Sequence, residues 1–252
     1  MNIFSFSRLS LYEKCPYRFY LKYVLDRPEP VTKPLALGKA VHKAIELLMQ
    51  GADEEEAVIA ALIECNFHPQ VTRDEVVSLM RSAPVLEGKA EAHFELPLAP
   101  ASELKLQGYI DLLQIGGFFD WKTSRRVYGP MDTMQLPLYA WAAMEMENLD
   151  LVRGTLYFLR FRQPMSHLFT KTEAEAARVW AYHLAREIAE KVDIYGTFSD
   201  MADTLFPARS GSHCRYCPFA AECLERESCT NGRNIRNDTV RIFVPSVWRI
   251  YG

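Results

Sequence analysis

Hydrophobic residues recur at spacings of three and four through the first third of the chain, and the period then changes to two. The stretch SRLSLYEKCPYRFYLKYV (7–24) predicts a helix, broken or restarted near Pro16. PEPVTKP (28–34) reads as a loop, LALGKAVHKAIELLMQG (35–51) as a helix stopped at Gly51, and ADEEEAVIAALIEC as another helix with a suitably acidic start. TRDEVVSLMRSA (72–83) predicts one more helix. Near residue 90 alternation takes over. EAHFELPL (91–98), ELKLQGYIDLLQIG (103–116) and GFFDWKT (117–123) predict strands, with Gly116-Gly117 as a hairpin turn. Helical spacing returns over 129–147, two strands are expected at 153–161 and 166–170, and an amphipathic helix at 171–192. This order predicts an α/β (mixed α+β) core around an open sheet.

Composition narrows this picture. With 252 residues, 49% of them hydrophobic, the chain can bury a full core without staples. A net charge of −3 excludes a generic, strongly basic nucleic-acid binder, so any such contact must concentrate its positive charge locally. Lys14, Arg18 and Lys22 recur every four residues and read as a solvated face or as a phosphate-facing stripe beside Cys15. No apolar run is long enough to span a membrane, and MNIFSFSRLSLYEKC has no continuous apolar centre, so a cytoplasmic location is expected. Six cysteines in a reducing compartment favour metal binding or inert burial over disulfides.

The candidate chemistry lies in GYIDLLQIGGFFDWKT. Asp111 and Asp120 stand on successive strands, and across a tight hairpin two such carboxylates can meet at one cation. Period-two geometry places Asp120 and Lys122 on one face, an arrangement suited to holding Mg²⁺ with a positive charge beside an attacking water. Gln135 and Tyr139, four apart, share a helix face. His42 lies on an earlier helix, where a lone histidine is ordinarily a packed core group, and Glu46 one turn later reads as part of a solvated face. Near the C-terminus, Cys214, Cys217 and Cys223 form C-x₂-C-x₅-C, a thiolate set for zinc or an iron–sulfur cluster that needs a fourth ligand. Cys229 and His213 are rival ligands, and Cys65 reads as a buried apolar thiol.

Taken in order, His42, GYID to Asp111, the Asp120-Trp121-Lys122 triplet and Gln135-x₃-Tyr139 resemble the RecB-like branch of the PD-(D/E)XK nuclease superfamily, which includes the AddB nuclease domains and the RecB-like nucleases of CRISPR spacer acquisition. YEKCPYRFYLKYV and CRYCPFAAEC extend the resemblance over about residues 5–225. It implies a restriction-endonuclease-like core with a central mixed sheet flanked by helices. It implies catalytic roles for Asp111, Asp120, Lys122, Gln135 and Tyr139, and a Mg²⁺ or Mn²⁺ ion held by His42, Asp111, Asp120 and the Trp121 carbonyl. It also implies a structural [4Fe–4S] cluster on Cys15, Cys214, Cys217 and Cys223 that joins the N- and C-terminal segments. One nuclease domain over 1–228 is then expected, with a helical insertion at 38–85, a sheet core at 90–170, a cluster-binding segment at 205–228 and a tail of unknown role at 229–252. The implied activity is phosphodiester hydrolysis on DNA, exonucleolytic in type, in repair, recombination or CRISPR-type processing. The chain lacks a G-x-x-x-x-G-K-[ST] phosphate loop, so a helicase or a CRISPR adaptation protein is the implied kind of partner. The alternatives are a non-cleaving nucleic-acid-binding module and a zinc-stapled structural protein of the same fold.

Overall fold

Polar caps set where the helices begin. Ser5 accepts from the Arg8 N–H and opens α1 (Phe6–Lys14), and Pro16 restarts the chain as α2 (Pro16–Phe19), which runs into a π-helical turn at Tyr20–Val24. α3 (Lys33–Met49), α4 (Glu54–Glu64, capped by Asp53) and α5 (Arg73–Met80, capped by Thr72) form the helical block expected from the 3.6 period. The computed structural model describes residues 1–224, and the expected tail at 229–252, with Cys229, lies outside them. The chain divides into two compact units, Met1–Ser210 and a second beginning at Gly211.

The first unit holds a mixed sheet of six strands: β1 (Ile3–Phe4), β2 (Lys89–Pro97), β3 (Lys105–Gln114), β4 (Gly117–Lys122), β5 (Leu151–Phe158) and β6 (Gln163–Thr170). β2 covers one edge of β3 along its whole length. The other edge is shared. β1 pairs with it in parallel at Lys105 and Leu106, and β4 pairs antiparallel only from Leu112 to Gln114. Between those two contacts β3 and β4 part, and the sheet forks. Gly116, at φ 73°, makes the turn that joins them.

Parallel pairing of β4 with β5 requires a crossover, which α6 (Gln135–Glu147) supplies. α6 starts six residues later than the sequence period predicts. Asp132 accepts from the Gly129 N–H at 2.7 Å and folds the preceding residues into a turn. The final helix, α7 (Lys171–Thr197), opens with a capping box between Thr170 and Glu173 and runs five residues beyond its expected end. α8 (Ala202–Leu205) is a short turn after it.

The two faces of the sheet carry different layers. Trp121 is buried in a cluster with Leu112 and the apolar sides of α3, α4 and α5. Asp120, its neighbour, points the other way and is bonded by Gln135 of α6. Alternation along β4 thus separates a core face from a chemical face within two residues. Two cations of the Lys14–Arg18–Lys22 stripe are engaged within the fold. Arg18 and Lys22 both close on Glu29, at 2.7 and 2.6 Å.

Candidate active site

The site sits in the fork. Where the backbone ladder between β3 and β4 stops, the Asp111 carboxylate replaces it: Oδ2 accepts from the buried Trp121 N–H at 2.6 Å. Oδ1 lies 3.1 Å from His42 Nδ1, and His42 Nε2 lies 2.8 Å from the Trp121 carbonyl. A carboxylate and a carbonyl only accept, so making both bonds at once requires the doubly protonated ring. Burial disfavours that charged form, but the Asp111 carboxylate outweighs it, with Asp120 adding to the effect, and pushes His42 up to about 9.

Asp120 is 3% exposed. Its Oδ1 accepts from Gln135 Nε2 at 3.1 Å, and Gln135 Oε1 accepts from Lys122 Nζ at 2.8 Å. The Lys122 ammonium also stands 2.5 Å from Asp120 Oδ2, but out of hydrogen-bonding alignment, so this buried oxygen has an ion-pair partner and no hydrogen bond. Burial holds the Asp120 carboxyl above its ordinary range despite Lys122. Burial works against the Lys122 charge, and Asp120 more than restores it. Tyr139, on α6 one turn after Gln135, packs edge-on against Phe94 at 5.6 Å. Its hydroxyl is raised by burial and by Asp120 and Asp111. The glycine of GYID has its reason here: a Cβ on Gly108 would meet the Phe94 ring at 2.7 Å and the Tyr139 hydroxyl at 3.4 Å.

Glu91 completes the ligand set, and sequence reading gave it no role. It lies across from Asp111 between the paired residues Ala90 and Ala92, with φ at 47°, a conformation unusual for a side-chain-bearing residue. His42, Glu91 and Asp111 each offer one ligand atom, all within 4.8 Å of one another, and among the described residues they are the one such group. Burial, then the charge of Asp111, pushes Glu91 up to about 7. The signal available in the sequence was a second acid on the strand paired with GYID, but only the register reveals that it stands opposite Asp111.

Asp111 and Asp120, with His42 and Lys122, border a cavity of about 570 Å³, and Glu91 borders a second cavity that Asp111 and His42 share. Hard oxygen donors with one imidazole, and a buried carboxylate oxygen lacking a hydrogen bond, fit a divalent cation such as Mg²⁺ or Mn²⁺. A family model for the PD-(D/E)XK nuclease superfamily matches residues 3–224. The chain belongs to this superfamily. As in other PD-(D/E)XK proteins, the core is a central mixed sheet flanked by helices. No curated protein matches the chain. Among solved structures, the crystal structure of SSO0001 aligns at 12% identity and a TM-score of 0.32, covering 82% of this chain and 94% of that one.

The cysteines of this PD-(D/E)XK chain are arranged differently from the carboxylates. Cys15, in the first unit, is buried between α1 and α2. Cys65 is buried in the α3–α5 cluster, its thiol 3.4 Å from the Leu62 carbonyl. In the second unit, a 3₁₀ turn at Ser212–Tyr216 carries Cys214, whose carbonyl accepts from the Cys217 N–H at 3.1 Å. Cys214 is exposed, Cys217 and Cys223 are half-buried, and the three do not converge as a ligand group. Glu46 is drawn to Lys43 at 2.9 Å rather than to His42. Among the described residues, no helix is long and apolar enough to cross a membrane.

Proposed function

We propose that this chain is a metal-dependent deoxyribonuclease of the RecB- and AddB-like branch, acting exonucleolytically at DNA ends in the cytoplasm. The reading rests on one observation above all. Asp111 and Asp120, nine residues apart, line one cavity, with Lys122 held between Asp120 and Gln135. Binding alone does not need a buried carboxylate kept beside a buried amine.

Asp111, Asp120, Glu91 and the Trp121 carbonyl would hold the divalent ion, with His42 joining them once it gives up a ring proton, and the ion would supply charge neutralisation at the scissile phosphate and an activated water. Lys122 keeps its proton and stabilises negative charge developing on the phosphate. Gln135 holds Lys122 and Asp120 in register through its two amide atoms. Tyr139 walls the cavity on the α6 side and limits water there. DNA repair, recombination or CRISPR-type processing, alongside a separate helicase or adaptation protein, is the setting this activity fits.

The same reading assigns Cys15, Cys214, Cys217 and Cys223 to a [4Fe–4S] cluster. Its support is the C-x₂-C-x₅-C spacing and four thiols that are free of disulfides. The deciding experiment is anaerobic purification, iron and sulfide analysis, and digestion of end-labelled DNA with Mg²⁺ or Mn²⁺ against an EDTA control. Metal-dependent cleavage lost in Asp120→Asn supports the enzyme. Cleavage that survives EDTA or that substitution refutes it.

A further inference from the structure

Odd-numbered residues of β2 and β3 form a ladder leading away from the metal-ligand group: Glu91 opposite Asp111, then His93 paired with Tyr109. Both of the latter are exposed. Their rings stack obliquely, with centroids 4.7 Å apart, and Tyr109 leaves 55% of its surface to solvent beside the buried Asp111. An aromatic pair two residues from a catalytic carboxylate is not there to fill a core, because the even-numbered neighbours Phe94 and Ile110 already do that on the opposite face.

Tyr109 also stands where two cavities meet. It lines the 570 Å³ cavity on the Lys122 side, and it lines a second, more open cavity of about 890 Å³ on the α3 side. Asp111 and His42 border both. A strand passing through the reacting position would run from one cavity into the other across this ring. Exposed cations mark the two ends: Lys39 lines the open cavity and Arg125 the smaller one, and neither enters an ion pair among the described residues. Lys33 and Lys43, by contrast, are occupied by Glu75 and Glu46. Lys39 and Arg125 thus offer a positive charge in each of the two cavities that Tyr109 borders, in a chain of net charge −3.

We infer that Tyr109, backed by His93, is a base-stacking platform that receives the nucleotide beside the scissile phosphate, and that it makes unpaired DNA the preferred substrate. The inference rests on the nuclease reading. A base inside a duplex has both faces covered by its neighbours, so only a nucleotide that has left its partner can lie on this ring. Lys39 and Arg125 hold the phosphates to either side.

Fluorescence anisotropy in EDTA, with a labelled oligothymidylate, a blunt DNA duplex and an RNA strand of equal length, tests this without cleavage. The parent should bind the DNA strand at least about tenfold tighter than the duplex, and Tyr109→Ala should weaken strand binding about tenfold, the scale of one base stacked on an aromatic ring. Tyr109→Phe should keep the parent affinity, because it keeps the ring. Placing an abasic site at successive positions should cost the parent affinity at one position and cost Tyr109→Ala nothing further there. Thermal melts of each variant separate lost stacking from lost folding. Equal strand affinity for Tyr109→Ala and parent, an equal loss on strand and duplex, or preference for RNA would each overturn the inference. Cleavage by the parent with no Tyr109 effect removes the platform and leaves the nuclease. Tyr109-dependent binding with no cleavage in Mg²⁺ or Mn²⁺ keeps the platform and removes the nuclease.

Discussion

The sheet fork and the cysteine segment are both collections of metal-type ligands, and they are built in opposite ways. In the fork Asp111, Asp120, His42 and the Trp121 carbonyl are each held by a protein partner. Asp111 is tied to the Trp121 N–H, His42 spans Asp111 and the Trp121 carbonyl, and Gln135 holds Asp120. Its donors come from four separated elements, α3, β2, β3 and β4. In the cysteine segment the donors sit within ten residues, on a 3₁₀ turn and the residues after it, with exposed or half-buried thiols. The first is a site organised by tertiary structure. The second is organised by local spacing alone.

The largest test of that contrast is at the fork. Asp120→Asn and Asp111→Asn should each lower cleavage of end-labelled DNA by about a thousandfold or more, the scale of removing charge stabilisation at the reacting phosphate. Their stabilities should then diverge from that of Asp111→Ala. Asparagine keeps an oxygen to accept from the Trp121 N–H, whereas alanine leaves a buried donor unpaired, at a cost of about 1–3 kcal/mol. Asp111→Ala therefore loses folding stability as well as cleavage, contrary to what a purely catalytic residue would do. Urea denaturation of the two variants checks this. Equal stabilities would mean that Asp111 does not hold the fork together.

Next comes the cysteine segment. Cys217→Ser should remove most of the bound iron and sulfide, and it should lower the midpoint of thermal unfolding measured under anaerobic conditions. A PD-(D/E)XK chain whose iron content is unaltered by Cys217→Ser would not carry the proposed cluster. Full zinc occupancy without sulfide would assign the segment to zinc instead.

These differences explain what could be read from residue order. Asp120, Lys122, Gln135 and Tyr139 follow short spacings that secondary structure converts directly into shared faces, i, i+2 on a strand and i, i+4 on a helix. The helical block and the change of period near residue 90 were equally legible. Glu91 was not, because its role depends on a cross-strand register and on a backbone torsion at φ 47°, neither of which leaves a pattern in one strand. β1 was invisible for a related reason: two residues, Ile3 and Phe4, are too few to show a period, and only the parallel contact with Lys105 and Leu106 makes them a strand. The start of α6 was misplaced because an Asp132 side chain, not hydrophobic spacing, ends the preceding turn.

Packing beneath the fork gives an intermediate effect. Gly154 on β5 lies between Phe118 and Phe169, and a Cβ there would come within 2.8 Å of each ring. Both rings are fully buried, so neither can swing aside. Gly154→Ala should cost about 1–3 kcal/mol of stability, measured in urea, with cleavage by the folded fraction retained. Loss of activity without loss of stability would instead place β5 in the chemistry.

The smallest effect belongs to the segment just after Cys15, where Glu29 gathers Arg18 and Lys22. Burial raises the Glu29 carboxyl, but its hydrogen bonds from Arg18 and Lys22 outweigh burial, and the net shift is downward. A carboxylate held lower in the folded chain than in the unfolded one stabilises the fold above the ordinary glutamate range. That contribution fades as pH falls through its folded value. Glu29→Gln should therefore cost about 1 kcal/mol at pH 7, and the gap between variant and parent should narrow in acid as the parent's own Glu29 takes up a proton. Urea titrations of both proteins at pH 7 and at successively lower pH measure the gap. A gap that stays constant into acid would mean that Glu29 acts by packing rather than by charge. The stripe of Lys14, Arg18 and Lys22 would then be open to a phosphate-bearing partner after all, beside a cysteine assigned to the cluster.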